Sequence, residues 1–225
     1  MTAPRKVYLG ALKREVAPLV RHLPKLVSAG SVELWGDERC VIGFAGMGPV
    51  CATQAFQAVA ELGPIESLTS IGWAGACTEG IAIGSVLRPS TIVNAKTGER
   101  FSAAEGDGSV VATIDRFADL NEKRRLKATY GASCVEMEAA TLARLAAAHQ
   151  IPFYCIKSIS DTLDFELKGI ERFHTADGRF REGAFALFTA LRPWMWLAVM
   201  KMANGSKLAV ENHCAEVERE LKNTA

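Results

Sequence analysis

Short apolar runs alternate with stretches of helical periodicity through most of the chain. KVYLG (6–10) reads as a strand, and a helix is predicted over about 12–23, with Pro18 an irregularity inside it. VELW (32–35) and RCVIGF (39–44) read as strands, with the turn residues Gly36 and Asp37 between them. After AGMGPV (45–50) a helix runs to about Leu62, where Gly63-Pro64 ends it. SLTSIG (67–72) and GSVLRPSTIV (84–93) are further strands. The Gly- and charge-rich segment 94–114 reads as loop with one short strand.

Two later elements stand out. SCVEM (133–137) is a strand that passes into the helix EAATLARLAAAHQ. IPFYCIKSISD (151–161) is a nearly continuous apolar run, the pattern of a parallel strand buried on both faces. Strands separated by helices predict a mainly parallel sheet in an α/β sandwich. No repeat or low-complexity linker interrupts the pattern, so residues 1–225 are read as one domain.

The last third differs. SKLAVENHCAEVEREL (206–221) places Val210, Cys214, Val217 and Leu221 on one helical face. Before it lies FALFTALRPWMWLAVMKM (185–202), dense in apolar and aromatic residues and bracketed by Arg179, Arg181 and Lys201. Such a stretch is either a buried helix or a surface that docks on a membrane or an oily ligand.

Composition narrows the classes. Hydrophobic residues make up 49% and charged residues 23%, which excludes a disordered or collagen-like chain. Lys and Arg total 26 against 25 Asp and Glu, so no global field draws in nucleic acid. Six cysteines are scattered singly and read as reduced core thiols of a cytosolic protein. The N-terminal residues lack the apolar core of a signal peptide, and the longest uncharged stretch, Cys40 to Ala60, is too rich in glycine to span a membrane. The four histidines (His22, His149, His174, His213) have no metal-ligand spacing, and no metal or organic cofactor is expected.

Three carboxylates are the candidates for chemistry. Glu138 begins the apolar helix after SCVEM, on the face of Leu142, Leu145 and His149, and is either a partnered structural group or a ligand contact. Asp161 ends the buried strand, at the edge where open α/β sheets bind ligands, although a turn aspartate would look the same. Glu15 lies near the start of the first helix, where a negative charge is also favourable in itself. AGMGPV and GWAGAC (72–77) are read as two small-residue turns, able to bring backbone N–H groups close to a ligand or merely to pack tightly. KRRLK (123–127) reads as a solvated helix face.

GALKREV (10–16), AGMGPV, SIGWAGA (70–76), CVEMEAA (134–140) and KSISD (157–161), in this order, resemble the purine nucleoside phosphorylase/uridine phosphorylase superfamily, and within it the nucleosidase branch. The resemblance implies a three-layer α/β/α sandwich with a mixed, mainly parallel central sheet, and cleavage of an N-glycosidic bond. By it, Asp161 is the general acid toward N7 of a purine and Glu15 orients or deprotonates the attacking water. Glu138 holds the ribose hydroxyls, with Met137 on the sugar and Glu136 nearby. Phe117, in TIDRFAD, stacks on the base, and the backbone of Ala118 reads the adenine edge. Met47, Trp73, Ala74, Gly75 and Ser160 complete the pocket. These roles suit the chemistry: bond breaking builds positive charge on the sugar and negative charge on the purine.

Phosphorylases of the superfamily carry an N-terminal G-D-P-x-R-like motif; here the place holds Glu15, which suits water over a phosphate dianion. Arg14 and Arg88 leave a phosphate-dependent reaction as the alternative. Departures from methylthioadenosine/S-adenosylhomocysteine nucleosidases are a short segment between the fourth long strand and Phe117, an apolar insertion at about 165–203, and Trp73, where a small residue is usual. With R-P-x-x-W at Arg192–Trp196, these features resemble the hopanoid-associated phosphorylase-like group, whose assigned reaction releases adenine from adenosylhopane to give ribosylhopane. That resemblance implies a lipid-linked 5′-modified adenosine as substrate, an apolar wall from the insertion, a homodimer, and a cytoplasmic protein able to touch the inner face of a membrane through 185–202. Methylthioadenosine/S-adenosylhomocysteine or futalosine-type cleavage, and a non-catalytic nucleoside-binding module on the same fold, are the competing readings.

Overall fold

The structure, a computed structural model, describes residues 3–165, 167, 169–173, 175, 178 and 180–223. His174 and Arg179 lie outside the described residues. β1 (Arg5–Gly10) is followed by a single helical turn, α1 (Lys13–Val16). The helix expected over 12–23 stops there: Pro18 has no N–H to carry the ladder onward, and the residues after it form successive turns. β2 (Lys25–Ala29), unforeseen in the sequence, precedes β3 (Val32–Gly36) and β4 (Cys40–Phe44). α2 (Pro49–Glu61) begins with proline at its first position, after Gly48 at φ 89°.

β5 (Ile65–Ala76) is twelve residues long and absorbs the turn expected over GWAGAC. The strand expected over 84–93 is two, β6 (Val86–Leu87) and β7 (Thr91–Asn94), because Pro89 cannot donate to a ladder. The segment 94–114 holds β8 (Arg100–Ser102) and β9 (Val110–Thr113), one strand more than expected. α3 (Leu120–Tyr130), β10 (Cys134–Glu136), α4 (Ala139–Ala148) and β11 (Phe153–Asp161) follow. α5 (Glu182–Ala190) leads through a short 3-10 turn into α6 (Trp196–Asn223), which starts ten residues before the predicted helix.

Among the described residues eleven strands join in one mixed sheet. β4, β1 and β5 run parallel, and β11 lies parallel along the other edge of β5. The end of β5 meets β10 antiparallel, and β10, β9 and β7 continue in parallel. Antiparallel pairs of β2, β3, β6 and β8 form the margins. Alternation along β1 decides the layers: Val7 and Leu9 pack with Phe56 and Val59 of α2 and Leu142 of α4. Tyr8 points the other way, toward Val16 of α1 and Val217 of α6. This is the expected three-layer α/β/α arrangement. All six cysteines are free and buried.

Candidate active site

The twelve residues nominated from the sequence all line one cavity of about 280 Å³. Its floor is the carboxyl-terminal end of the parallel strands, where the chain leaves the sheet and backbone groups are available. Trp73, Ala74 and Gly75 come from β5, Glu136 from β10, and Ser160 and Asp161 from β11. Met47 precedes α2, Phe117 and Ala118 precede α3, and Met137 and Glu138 join β10 to α4.

Glu15 is buried, and its carboxylate accepts three backbone N–H groups. Ala11 and Leu12 donate to Oε2 at 2.8 and 2.7 Å, and Trp73 donates to Oε1 at 2.9 Å. Gly72, at φ 128°, makes this possible: a Cβ there would lie 2.6 Å from Oε1. Behind it, the ring of His213 contacts the Glu15 carbonyl at 2.9 Å, and burial holds that imidazole below its usual pKa.

Glu136 and Glu138 sit on either side of Met137 and have opposite surroundings. Glu136 is paired with the buried Lys157 at 3.1 Å and accepts from Thr113 Oγ1 at 2.6 Å. The backbone N–H groups of Glu138 and Ala139 donate to it at 3.0 and 2.8 Å, so it caps α4. Burial is the largest influence on Lys157 and opposes its charge, but Glu136, Cys155, Glu138 and Glu15 together outweigh it and raise the ammonium pKa; Nζ also reaches Ser70 Oγ at 2.9 Å and the Ile71 carbonyl at 3.3 Å. Glu138 is not on the first-turn face that helical spacing predicted. It is the residue before α4, and its Oε1 accepts from the Gly48 N–H at 2.7 Å, which joins the glycine turn to the sugar side of the cavity.

Burial, reinforced by the negative Glu136, pushes Glu138 up to about 8; Lys157 and the Gly48 N–H offset only part of this. An acid whose folded pKa is raised binds its proton more tightly when folded. Its contribution therefore destabilises the fold progressively from the unfolded carboxylate range up to about pH 8. Glu138→Gln keeps an acceptor for Gly48 and removes this dependence. Its Tm is expected to lie close to wild type near pH 5 and to exceed it by about 10 °C near pH 9, measured by scanning calorimetry. Equal Tm differences at both pH values would refute the ionisation account.

Asp161 reaches the cavity through an irregularity in its strand. Ile159 pairs with Ala74 and Asp161 with Gly75, leaving Ser160 as an extra residue. Strict alternation would send Asp161 after Ile159 into the core; the bulge instead turns both Ser160 and Asp161 to the cavity. Ser160 Oγ donates to Oδ1 at 2.7 Å. Lys123 Nζ donates to Oδ2 at 2.5 Å and to the Thr162 carbonyl at 2.8 Å. A Cβ on Gly75 would fall 2.8 Å from Oδ2.

Lys123 corrects the reading of KRRLK as a solvated face. Its neighbours Arg124 and Arg125 are exposed, but Lys123 is 2% exposed and turned inward. A single cation among the four of KRRLK gives no periodic signal, so spacing could not single it out. Lys157 was missed for a similar reason, being one polar residue in a strand whose apolar neighbours dominate. Arg88, considered above as an anion contact, is held instead by Glu216 and Glu220 at 2.5 and 2.6 Å, on α6. Arg14 does line the cavity, with its guanidinium 5.1 Å from the centre of the Trp73 ring. The buried Trp73 Nε1 has no acceptor among the described residues.

The insertion supplies the remaining wall. Phe165, Leu167, Ile170, Phe180 and Met202 line the cavity, and Phe180 packs with both the site cluster of Ala11, Met47 and Met137 and the insertion's own aromatic core. The segment docks on the glycine turn, where the Met47 N–H donates to the Gly178 carbonyl at 2.8 Å. Its outer side is different: Leu187, Leu191, Trp194, Trp196, Leu197 and Met200 are 53–76% exposed. The stretch 185–202 is thus neither wholly buried nor wholly a surface. Among the described residues no single helix is long and apolar enough to cross a membrane; α5 and the segment running into α6 pass that test only as a pair bent by 111°. No group of three or more His, Cys, Asp or Glu among the described residues could hold a metal ion.

Residues 6–119 and 102–191 match the Phosphorylase superfamily. No curated protein matches the sequence. Among solved structures, the chain is similar to the 5′-methylthioadenosine/S-adenosylhomocysteine nucleosidase of Helicobacter pylori, with 15% identity, TM-score 0.74, and 99% of this chain and 100% of that one covered. The corresponding nucleosidase of Neisseria meningitidis, in complex with methylthio-immucillin-A, is 18% identical with TM-score 0.74 over 98% of this chain and 100% of the other. Futalosine hydrolase of H. pylori gives 15% and 0.74, over 98% of each chain. At these identities the likeness is one of fold.

Proposed function

Because this chain belongs to the Phosphorylase superfamily, we propose that it is a purine nucleosidase releasing adenine from a 5′-modified adenosine, with adenosylhopane, cleaved to ribosylhopane, as the substrate. The observation that carries this reading is the meeting of Glu15, Glu138 and Asp161, from three distant parts of the chain, around one cavity. In this reading Asp161 delivers the proton to N7, so the base departs neutral. Glu138 holds the ribose hydroxyls, and Met137 and Met47 pack on the sugar. Phe117 stacks on the purine while the Ala118 backbone meets the adenine edge, and Glu15 takes a proton from the attacking water.

The surroundings of Glu15 favour water as the nucleophile. The N–H groups of Ala11, Leu12 and Trp73, which could have cradled an anion, are already taken by its carboxylate. Negative charge at this point repels a phosphate dianion, and Arg88 is committed elsewhere. The Phe165, Leu167, Ile170, Phe180 and Met202 wall favours a large apolar 5′ substituent. On the outer side, exposed Trp194 and Trp196 with Arg181 and Lys201 nearby suit an anionic lipid surface. Pairing into a homodimer belongs to the same reading and rests on the resemblance.

The test is adenine release from detergent-solubilised adenosylhopane, with and without phosphate, beside methylthioadenosine. Preferential, phosphate-independent cleavage of the lipid is expected. Binding to vesicles containing phosphatidylglycerol should fall in a Trp194→Ser/Trp196→Ser variant. Preference for methylthioadenosine would leave the carboxylates standing and reduce the wall to packing; a requirement for phosphate would overturn hydrolysis.

A further inference from the structure

An acid meant to protonate a purine is here ion-paired with a buried ammonium. In the structure Lys123 Nζ lies 2.5 Å from Asp161 Oδ2 and has the Thr162 carbonyl at 2.8 Å and that of Phe165 at 3.5 Å as its other partners. Both residues line the cavity. Other charged or titratable groups stand around them: Cys77 at the end of β5, Asp119, Glu122 and Lys127 on or beside α3, and Asp164 beyond β11. Glu122 is committed to Arg116 and Arg125, Asp119 caps α3, and Asp164 accepts from Thr162 Oγ1. Burial pushes the Cys77 thiol up to about 12, which leaves it an uncharged bystander. Lys123 is thus the only ammonium among the described residues hydrogen-bonded to the Asp161 carboxylate.

We propose that Lys123 is the proton reserve for the departing purine and acts through Asp161. This rests on the nucleosidase reading and extends it. As the C1′–N9 bond breaks, its electron pair stays with the purine. Oδ2 takes a proton from Nζ and passes it to N7, so Asp161 ends as the carboxylate it began and Lys123 ends as an amine. The water that attacks C1′ gives its proton to Glu15. Once the products leave, solvent takes that proton and returns one to Lys123. A purine anion is a nitrogen base, comparable in kind with the amine it takes the proton from, so the transfer is close to balanced.

Three variants and two substrates separate this role from simple support. The substrates are 5′-methylthioadenosine and a 4-nitrophenyl riboside, whose leaving group departs without a proton. Lys123→Met removes the ammonium at similar volume. Lys123→Arg keeps the positive charge and the ion pair but does not give up a proton. Both are expected to lower kcat on the purine nucleoside about a hundredfold near neutral pH and to leave the nitrophenyl riboside within about twofold of wild type. Purine turnover by Lys123→Met should recover in acid, where an aspartate can be protonated from solvent.

Wild-type purine turnover by Lys123→Arg would overturn the proposal and leave Lys123 a positioning residue. Equal loss on both substrates would reduce it to a structural one. Asp161→Asn, assayed on the same pair, guards the underlying reading: if it shows no selective loss on the purine, the general-acid role fails before Lys123 is in question. Should Lys123→Met not fold, Lys123→Arg and the pH profile of the wild type on the two leaving groups still decide.

Discussion

Asp161→Asn should release adenine about a thousandfold more slowly than wild type, the scale of a lost general acid. The substitution leaves a side chain of the same shape at the end of β11, and Ser160 Oγ retains an acceptor. It removes the charge opposite Lys123. The ammonium keeps the carbonyls of Thr162 and Phe165, so the expected cost in stability is modest, about 1–3 kcal/mol. A folded variant at 25 °C is therefore available for assay, and circular dichroism before kinetics separates lost chemistry from lost protein. The loss should fall on kcat with KM little changed, since the proton matters only as the bond breaks. Near wild-type turnover would remove Asp161 from the mechanism.

Glu15→Gln should be nearly as damaging, by a different route. All three N–H groups aimed at this side chain require acceptors. A glutamine can place its carbonyl oxygen against Ala11 and Leu12, but its NH₂ then meets the Trp73 N–H, donor against donor. The expected penalty is about 1–3 kcal/mol, visible as a lower Tm. Activity should fall about 10²–10³-fold because the water loses its base. Externally added azide or formate, carrying its own charge or nucleophilicity, should restore part of the rate. A variant that folded well and kept its turnover would show that Glu15 only braces β5.

Much of this was legible because it depends on local pattern. The nearly continuous apolar run of 151–161 predicts a buried strand with Asp161 at its end, and the glycines of AGMGPV announce a tight entry to α2. What escaped depends on contacts distant in sequence. β2 has no buried face of its own and exists because β3 offers an edge. GWAGAC looks like a turn, since glycine and alanine are poor strand formers. It is held as strand by β11 on one side and β10 on the other, and its small residues are what leave room for Glu15 and Asp161. α1 was overextended because the apolar spacing after Pro18 matches a helix that the proline forbids. The inward turn of Lys123 could not be read from KRRLK, because its partner lies thirty-eight residues away on another element.

The two ends of the proposed reaction are gauged by one strand. The N–H of Trp73 holds Glu15, and Gly75 lies against Asp161, two residues further along β5. Such a step is about 7 Å, close to the span from a water poised behind C1′ to N7 of a purine. A pyrimidine nucleoside has no nitrogen at the far mark. In the proposed reaction the same strand therefore sets N7 of a purine, and no atom of a pyrimidine, opposite Asp161.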